Sequence, residues 1–522
     1  MRDNVYKQAA ALTAASFVMQ ILLFIYRIII TRFSGAGGMG VFQLAMPYYS
    51  ILASVSLSGI TVAVSRLTVE KTATGEEYKT QAVVRTALRL FLILLAACAL
   101  VTFMFPDIIA GQILGDMRTR ASMLLFIPCL LLTGYENIYK AFFYGAKHIR
   151  PNIISEPTEL IVRIISVFIL LYIFRDNLTP ERTAFLMVSA MIISEVFSFI
   201  FLGLYYKFYQ DKRAGTPVRH NGRARMNNSR PQSILSEIAR IAVPICASSV
   251  MMTIINSVNT ILIPKRLVAS GMSQTQAIET LGILMGMSLP LVTLPAIFIG
   301  PLMNIVLPRI ASAKKLGDAA DLNRKIARTL QICSFLTFPA MAAVAALGAP
   351  LCLLMYRNET AGSLIIPLML SSIFMYIQAV TGSILNAIDK QRELAVYNAI
   401  DGVIHIICTY FFVAVPGFGI YGFMLGHFLS CLVGTVLNLA TVIRTVKLRF
   451  NFTQWLLLPA LAGAYTGFMT HSAYNFLTRL AVAPALAVTI AILFSIIIYI
   501  AVLELRGVSL AGYFARLSKN KI

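Results

Sequence analysis

Apolar segments of about 20 residues recur along the chain and are separated by short polar loops. A helix of that length crosses the hydrocarbon core of a bilayer. We count about 14 such segments, at residues 9–31, 41–64, 83–105, 120–143, 153–175, 183–206, 238–263, 278–304, 329–348, 363–386, 394–415, 420–443, 454–473 and 480–503. The alternation typical of a membrane barrel is absent, so the sequence predicts an all-α polytopic membrane protein.

The lysines and arginines are distributed unevenly over the loops between these segments. If the N-terminus is cytoplasmic, the inner segments hold about 33 of the 44 and the outer loops about 9. Arg27 and Arg163 lie within spans. Because basic loops stay on the cytoplasmic side, we predict a multi-pass cell-membrane protein with both termini in the cytoplasm.

The composition supports this prediction. Of the 522 residues, 58% are hydrophobic and 13% are charged, whereas soluble domains carry about 25% charged residues. The net charge of +22 lies in loops, where it indicates topology and contact with lipid headgroups and gives no reason to expect nucleic acid. The seven cysteines include no CxxC pair, so we interpret them as small core residues and expect no metal site.

A faint internal repeat divides the first twelve spans into two sets of six. Pro47 and Pro290, and likewise Arg66 and Arg309, are 243 residues apart. The segment FFYGAKHIRPNIISEPTELIVRI corresponds to ILNAIDKQRELAVYNAIDGVIHI at an offset of 242. Six intervening spans return the chain to the same side of the membrane, so the two repeats are parallel. Transporters built from such repeats place the substrate site between the two halves.

The repeat and the loop composition together predict the domain organisation. Residues 1–206 form an N-terminal six-helix lobe, and 237–450 form the second lobe. Residues 207–236, rich in basic residues, Gly, Asn and Pro, form a cytoplasmic linker. Residues 451–522 add two C-terminal helices and a tail.

Arginines within spans are the first candidates for a substrate site, because a charge at membrane depth is costly. Arg27 lies in the stretch YRIIITRFSGAGGMG. It either holds an anionic substrate or extends to the interface near Arg32. Arg163 lies deeper, one turn from Glu159, so these two residues either pair structurally or line a cavity.

Acids within spans are candidates for ion or proton coupling. Glu195 lies near the centre of the sixth span, where a carboxyl group must be protonated, paired or hydrated. It either couples an ion or pairs with a cavity arginine, and a neutral structural acid is the alternative. Asp401 and His405 repeat the spacing of Glu159 and Arg163 in the second half, which makes them candidates of the same kind.

Uncharged polar residues complete the candidate binding set. Asn256 and Asn259 lie in the seventh span and either contact substrate or form hydrogen bonds between helices.

Glu136 and Lys140 are one turn apart near the inner end of the fourth span and are interpreted as a structural pair.

Prolines inside spans mark candidate hinges. Pro47 lies in the second span, and Pro290, Pro295 and Pro301 lie in the eighth. An interior proline removes a helix hydrogen bond and bends the helix. The eighth span is therefore predicted to be a bent helix, either a mobile gate or a static kink.

Sequence signals for catalysis are absent. No glycine loop with the lysine of an ATP site occurs. No paired-carboxylate or nucleophile–histidine pattern stands in a water-facing loop. We expect no enzyme activity and no cofactor, and the driving force remains open between H⁺, Na⁺ and the membrane potential.

The stretch YRIIITRFSGAGGMGVFQLAMPYYSI, followed by LSGITVAVSRLTVE, resembles the start of the stage V sporulation protein B and polysaccharide transporter family. That family shares a superfamily with MurJ-type lipid II flippases, Wzx-type flippases and MATE exporters. The resemblance implies two six-helix bundles in a V around a central cavity, with two extra C-terminal helices.

The resemblance also implies an activity, the outward flipping of an undecaprenyl-pyrophosphate-linked precursor by alternating access. Lipid II for spore cortex or wall peptidoglycan is the expected substrate. Arg27 matches the arginine that MurJ-type proteins place before a similar FGAG turn. However, Ile28 stands where Asp is typical, and Ala45 and Met46 precede Pro47 where an arginine is expected. These departures favour the sporulation-type branch.

Three alternatives differ in what they require of the chain. An ion-coupled MATE-type exporter should depend on acids such as Glu195, and a flippase could carry another lipid-linked polysaccharide. A membrane glycosyltransferase should carry catalytic groups in a large outer loop, and the outer loops here are short. The expected partners are the lipid-linked oligosaccharide and membrane lipids; we expect a monomer, with association with cell-wall synthases left open.

Overall fold

The computed structural model describes residues 2–76, 78–214, 234–447, 451 and 453–505. This part of the chain is helical and contains no strand, which confirms the predicted all-α fold. The helices up to residue 282 are α1 (Arg2–Ser56), α2 (Ser58–Ala73), α3 (Tyr78–Met104), α4 (Arg120–Gly145), α5 (Arg150–Ile173), α6 (Pro180–Ala214), α7 (Ile234–Ala269) and α8 (Gln274–Gly282). The later helices are α9 (Leu289–Val292), α10 (Ala296–Lys315), α11 (Ala319–Tyr356), α12 (Glu359–Ser363), α13 (Ile365–Ala387), α14 (Gln391–Phe412), α15 (Ile420–Val446), α16 (Leu458–Arg479) and α17 (Pro484–Leu505).

Eleven helical stretches among the described residues are long and apolar enough to cross a membrane. One of them, Val18–Ala73, contains residues 18–31 of the first predicted span and the whole of the second. The fifth and thirteenth predicted spans correspond to α5 and α16, which fall outside the eleven. Each predicted span therefore coincides with described helical structure, and α5 is less apolar because it carries the charged residues discussed below.

The first two predicted spans are not separated by a loop. Helix α1 runs from Arg2 to Ser56 and is interrupted only at Gly35, where φ is 65° and ψ is 180°. A positive φ strains residues with a side chain, so glycine suits this break. At Gly40 a Cβ atom would lie 2.0 Å from the carbonyl oxygen of Ile278. The α1 backbone thus lies directly against α8.

The eighth predicted span is broken rather than simply bent. It comprises α8, a π-helical segment Ile283–Ser288, α9, and α10. Pro290 lies in the first turn of α9, and Pro295 immediately precedes α10. Prolines fit helix starts because the missing N–H has no partner there. Pro301 lies in α10 and Pro47 within α1; whether these prolines act as hinges stays a prediction.

The chain groups into two compact units. The amino-terminal unit contains Leu22–Lys265 and Ser273–Gly282. The carboxy-terminal unit contains the described residues from Ile283 onward, together with Arg266–Met272 and the start of α1. Most of α7, predicted to open the second lobe, thus groups with the first six helices. The two predicted lobes were derived from the internal repeat, which this grouping does not test, so they stay a prediction. Residues 215–233 of the predicted linker lie outside the described residues.

Each unit has its own packing. In the amino-terminal unit, α2, α3 and α4 enclose fully buried Phe91, Phe142 and Phe143. In the carboxy-terminal unit, α13 and α14 pack on α15, while α16 and α17 pack on α11. The sole tryptophan of the sequence, Trp455, lies in the π-helical segment Thr453–Leu457, which packs on α11 and α16. Its side chain is buried.

Candidate functional site

Five charged residues of the amino-terminal unit meet where α4, α5 and α6 pack together. Glu136 and Lys140 lie one turn apart on α4, Glu159 and Arg163 lie one turn apart on α5, and Glu195 lies on α6. Residues four apart share one face of a helix, so each helix presents its charged residues in a single direction. We name these five residues the charged cluster.

The charges in the cluster alternate in sign along a chain of contacts. Lys140 Nζ contacts a carboxylate oxygen of Glu136 and lies 3.4 Å from Glu159 Oε2. Arg163 Nη2 lies 2.5 Å from Glu159 Oε1 and 3.1 Å from Glu195 Oε1. Arg163 Nε donates a hydrogen bond of 3.0 Å to Ser194 Oγ. The fifth and sixth spans are thus joined by a charge-assisted network.

The cluster is buried and carries an excess of acids. Glu136 and Glu195 are only 2% and 4% exposed. Oxygens of the three carboxylates lie within 4.8 Å of one another. With all five groups ionised, three negative charges face two positive charges, which leaves a net charge of −1. A buried uncompensated charge is costly, so this arrangement favours an additional cation.

A cavity of about 1060 Å³ with both polar and apolar lining residues opens beside the cluster, within the same unit. Helices α1, α2, α4, α5 and α7 contribute its walls. Its polar lining consists of Tyr49, Ser50, Ser54, Ser58, Thr61, Ser65, Arg66, Glu70, Asn137, Lys140, Tyr144, Glu156, Ser249 and Thr253. Lys140 belongs to both the cavity wall and the charged cluster, so it connects the two.

The cavity wall is hydroxyl-rich and balanced in charge. Arg66 and Lys140 are its cations, and Glu70 and Glu156 are its acids. None of the ion pairs among the described residues includes Arg66, whereas Lys140 is already held by Glu136 and Glu159. The wall therefore offers many hydrogen bonds and one unengaged guanidinium.

The predicted binding arginines have different surroundings. Arg163 joins Glu159 and Glu195, so the structure brings three predicted residues together. Arg27 is exposed on α1, does not line this cavity and takes part in no ion pair within the described ranges. Its role in binding an anion stays a prediction.

The predicted asparagines lie on α7 but not in the cavity wall. Asn256 is exposed, and Asn259 is buried with no hydrogen-bond partner on Oδ1 in the described part of the chain. Their neighbours Ser249 and Thr253 line the cavity instead and lie 3.0 Å and 3.2 Å from Ser54 Oγ on α1. The contribution of α7 to the cavity thus comes from hydroxyl groups.

Asp401 and His405 form a separate polar group in the carboxy-terminal unit. Ser430 and Gln378 are neighbours of Asp401, and Asp401 Oδ1 is buried without a hydrogen-bond partner among the described residues. The His405 ring lies 5.3 Å from the His427 ring, centroid to centroid. Neither residue belongs to an ion pair among the described residues. The two pairs predicted from the repeat therefore differ in chemistry.

Sequence reasoning did not assign two features of this site. Glu136 and Lys140 were interpreted as a structural pair, yet they are part of the charged cluster. The cavity wall was not predicted, although Ser50, Ser54, Ser58 and Ser65 share one face of successive helical turns. A stripe of hydroxyl groups in an apolar span is the signal that identifies this wall.

Sequence comparison places these features among known proteins. The family described as "Polysaccharide biosynthesis protein" matches residues 5–314. Stage V sporulation protein B of Bacillus subtilis (strain 168) is 21% identical over 456 residues, which are 87% of this chain and 87% of that protein. Lipid II flippase MurJ of the same organism is 22% identical over 428 residues, covering 77% and 76% of the two chains.

Two solved structures have a similar fold. "Lipid II flippase MurJ, inward closed conformation" aligns with a TM-score of 0.70 and 14% identity, covering 94% of this chain and 97% of that chain. An inward-facing multidrug resistance MATE family transporter of the MOP superfamily aligns with a TM-score of 0.64 and 14% identity, covering 83% and 99%. The expected MurJ- and MATE-like fold is thereby confirmed.

Proposed function

Because the chain belongs to the polysaccharide biosynthesis protein family, a family of membrane flippases and transporters, we propose that it flips an undecaprenyl-pyrophosphate-linked cell-wall precursor outward. Lipid II, for spore cortex or wall peptidoglycan, is the proposed substrate. Alternating access in the cell membrane, with both termini in the cytoplasm, is the proposed mechanism.

The hydroxyl-lined cavity is the observation that carries this proposal. A saccharide headgroup presents many hydroxyl groups, which pair with serine and threonine side chains such as Ser54, Ser249 and Thr253. Arg66, which has no ion pair among the described residues, offers a donor for a phosphate oxygen.

Arg27 is proposed to contact the pyrophosphate during the transport cycle. It is exposed on α1 and is not committed to an ion pair within the described ranges. Arg32 lies five residues further along the same helix and is equally classed as exposed, which makes it a matched control. Arg27 lies within the predicted first span, whereas Arg32 lies just beyond its end.

Complementation tests both parts of the proposal. We would deplete a bacterium of its own lipid II flippases and express wild type, Arg27→Ala and Arg32→Ala, with membrane levels checked by blot. Rescue by wild type and Arg32→Ala, but not by Arg27→Ala, supports the substrate and the role of Arg27. Rescue by all three removes Arg27 from the mechanism, and failure of a well-expressed wild type rejects lipid II in favour of another lipid-linked polysaccharide or an exporter.

An ion-coupled exporter is a second candidate because the charged cluster has more acids than cations. A cationic substrate or coupling ion suits such a site better than an anion does. Drug-resistance profiling of wild type and Glu195→Gln distinguishes this candidate. Resistance that depends on Glu195, without complementation, would replace the flippase proposal.

A further inference from the structure

We infer that the charged cluster is a proton-binding site, in which Glu136 and Glu195 share one exchangeable proton. The inference goes beyond the proposed substrate, because it applies to a flippase and to an exporter alike. It rests on the contacts of the five residues, their burial and their charge balance.

The first step is the count of charges. Glu136, Glu159 and Glu195 face only Lys140 and Arg163, so full ionisation leaves one negative charge uncompensated. Glu136 and Glu195 are almost fully buried. One added proton makes the cluster neutral, which removes the cost of an isolated buried charge.

The second step is the position of that proton. Glu195 Oε2 is buried and has no hydrogen-bond donor within the described part of the chain. Oxygens of the Glu136 and Glu195 carboxyl groups lie within 4.8 Å of each other. A proton between them satisfies Oε2 and converts a repulsion between carboxylates into a hydrogen bond.

The third step distinguishes a proton from a metal ion. Lys140 and Arg163 already occupy oxygens of all three carboxylates. Hard metal cations require about six oxygen ligands, and the ion pairs of this cluster leave two carboxylate oxygens, Glu136 Oε2 and Glu195 Oε2, without a cation. A proton needs only one donor oxygen and one acceptor.

The other titratable groups that face the cluster do not supply the missing positive charge. Tyr26 and Tyr49 approach from α1, and Cys129 approaches from α4. These groups are neutral in their ordinary protonation states. Glu156 on α5 approaches Lys140 from the cavity side, which adds to the negative side of the balance.

Lys140 links proton occupancy to the cavity. Its ammonium group contacts Glu136 and Glu159 and also lines the cavity wall. Protonation of the cluster weakens the hold on Lys140 and leaves it freer to bind an anion in the cavity. By reciprocity, an anion bound to Lys140 raises the proton affinity of the cluster.

Infrared difference spectroscopy of the purified full chain in lipid nanodiscs tests the inference. We expect wild type to show a protonated-carboxyl band that shifts in D₂O and disappears as the pH rises. Glu195→Gln should remove this band. Glu181→Gln, an exposed position at the start of the same helix α6, should retain it.

Three results would overturn the inference: no titrating carboxyl band in wild type, a band that persists in Glu195→Gln, or a band abolished by sodium chloride but not by choline chloride at constant pH. The last result would assign the site to sodium. If Glu195→Gln does not fold, Glu136→Gln removes the other half of the shared proton and gives the same test. Because no lipid-linked substrate is added, failure of the flippase proposal leaves this test unaffected.

Discussion

The charged cluster on α4, α5 and α6 has a counterpart on α13, α14 and α15. At the repeat offset of 242, Glu159 corresponds to Asp401 and Arg163 to His405. The same offset relates Glu136 to Gln378. The structure places Gln378 beside Asp401.

The two sites share helix positions but differ in how they hold their polar groups. The first is a chain of ion pairs, in which the nitrogens of Lys140 and Arg163 lie 2.5 to 3.4 Å from oxygens of Glu159 and Glu195. The second is a set of uncharged hydrogen-bonding groups around one acid, next to two histidine rings. Equivalent positions therefore hold a charged network in one half and an uncharged polar helix contact in the other.

The largest expected effect comes from removing Arg163. Arg163→Met leaves Glu159 and Glu195 without their shared cation, and breaking a buried ion pair from one side costs about 3–5 kcal/mol. His405→Met at the matched position should cost about 1 kcal/mol. Thermal unfolding in detergent, with size-exclusion chromatography as the readout, measures the stability of both variants. Equal losses of stability would contradict the proposed difference between the two sites.

Removing Lys140 should cost less than removing Arg163. The Lys140 side chain is 12% exposed and lines the cavity, so water partly compensates its acids, and we expect a loss of about 2 kcal/mol. The double variant Lys140→Met with Glu136→Gln should recover about half of that loss, because both sides of one pair are removed. Additive losses in a double-mutant cycle would argue that Glu136 and Lys140 act independently.

Replacing Glu159 and Asp401 by their neutral isosteres should change the stability of the protein by different amounts. Glu159→Gln weakens two ion pairs and should destabilise the protein by about 1–2 kcal/mol. Asp401→Asn keeps its hydrogen-bonding neighbours and should change stability by about 0.5 kcal/mol or less. The same unfolding assay measures both variants, and a larger loss for Asp401→Asn would show that a charge also holds the second site.

The smallest expected effect is a pH dependence at the loop between α4 and α5. Burial and the neighbouring Arg150 lower the pKa of His148 below its usual 6.5. The folded state then binds fewer protons than the unfolded state, so stability is full above about pH 6.5 and falls as the pH decreases through the lowered pKa. We expect a small decrease in melting temperature on acidification that is reduced in His148→Gln.

The corresponding residue of the second half gives the control for this pH effect. At the offset of 242, His148 matches Lys390, which lies 2.5 Å from Glu393. A lysine does not titrate near pH 6, so Lys390→Gln should leave the acid slope unchanged. An unaltered slope in His148→Gln would assign the pH dependence to other groups.

The sequence was most informative where the physics is local. Apolar length predicts the spans because lipid requires each to satisfy its own backbone, and the spacing of four residues predicts the pairing of Glu159 with Arg163. That Glu136 and Lys140 join this pair depends on how α4 packs against α5 and α6. Contacts between helices depend on three-dimensional packing, which the spacing of residues along one helix does not specify.

The same limit applies to the backbone irregularities. The predicted spans end at residue 31 and resume at residue 41, which places the glycines around Gly35 in a connection between them. In the structure Gly35 forms the kink between the two helical parts of α1, and Gly40 contacts α8. Whether a glycine lies in a connection or at a close helix contact depends on the packing of the neighbouring helix.

Trp455 is an intrinsic fluorescent probe of one segment of the protein. Because the sequence has no other tryptophan, emission excited selectively from indole originates only from the segment packed on α11 and α16. The charged cluster contains no tryptophan, so no indole emission originates from the cluster itself. Any change of indole emission on substrate addition is therefore a signal received in the carboxy-terminal unit, without background from the helices that bear the acids.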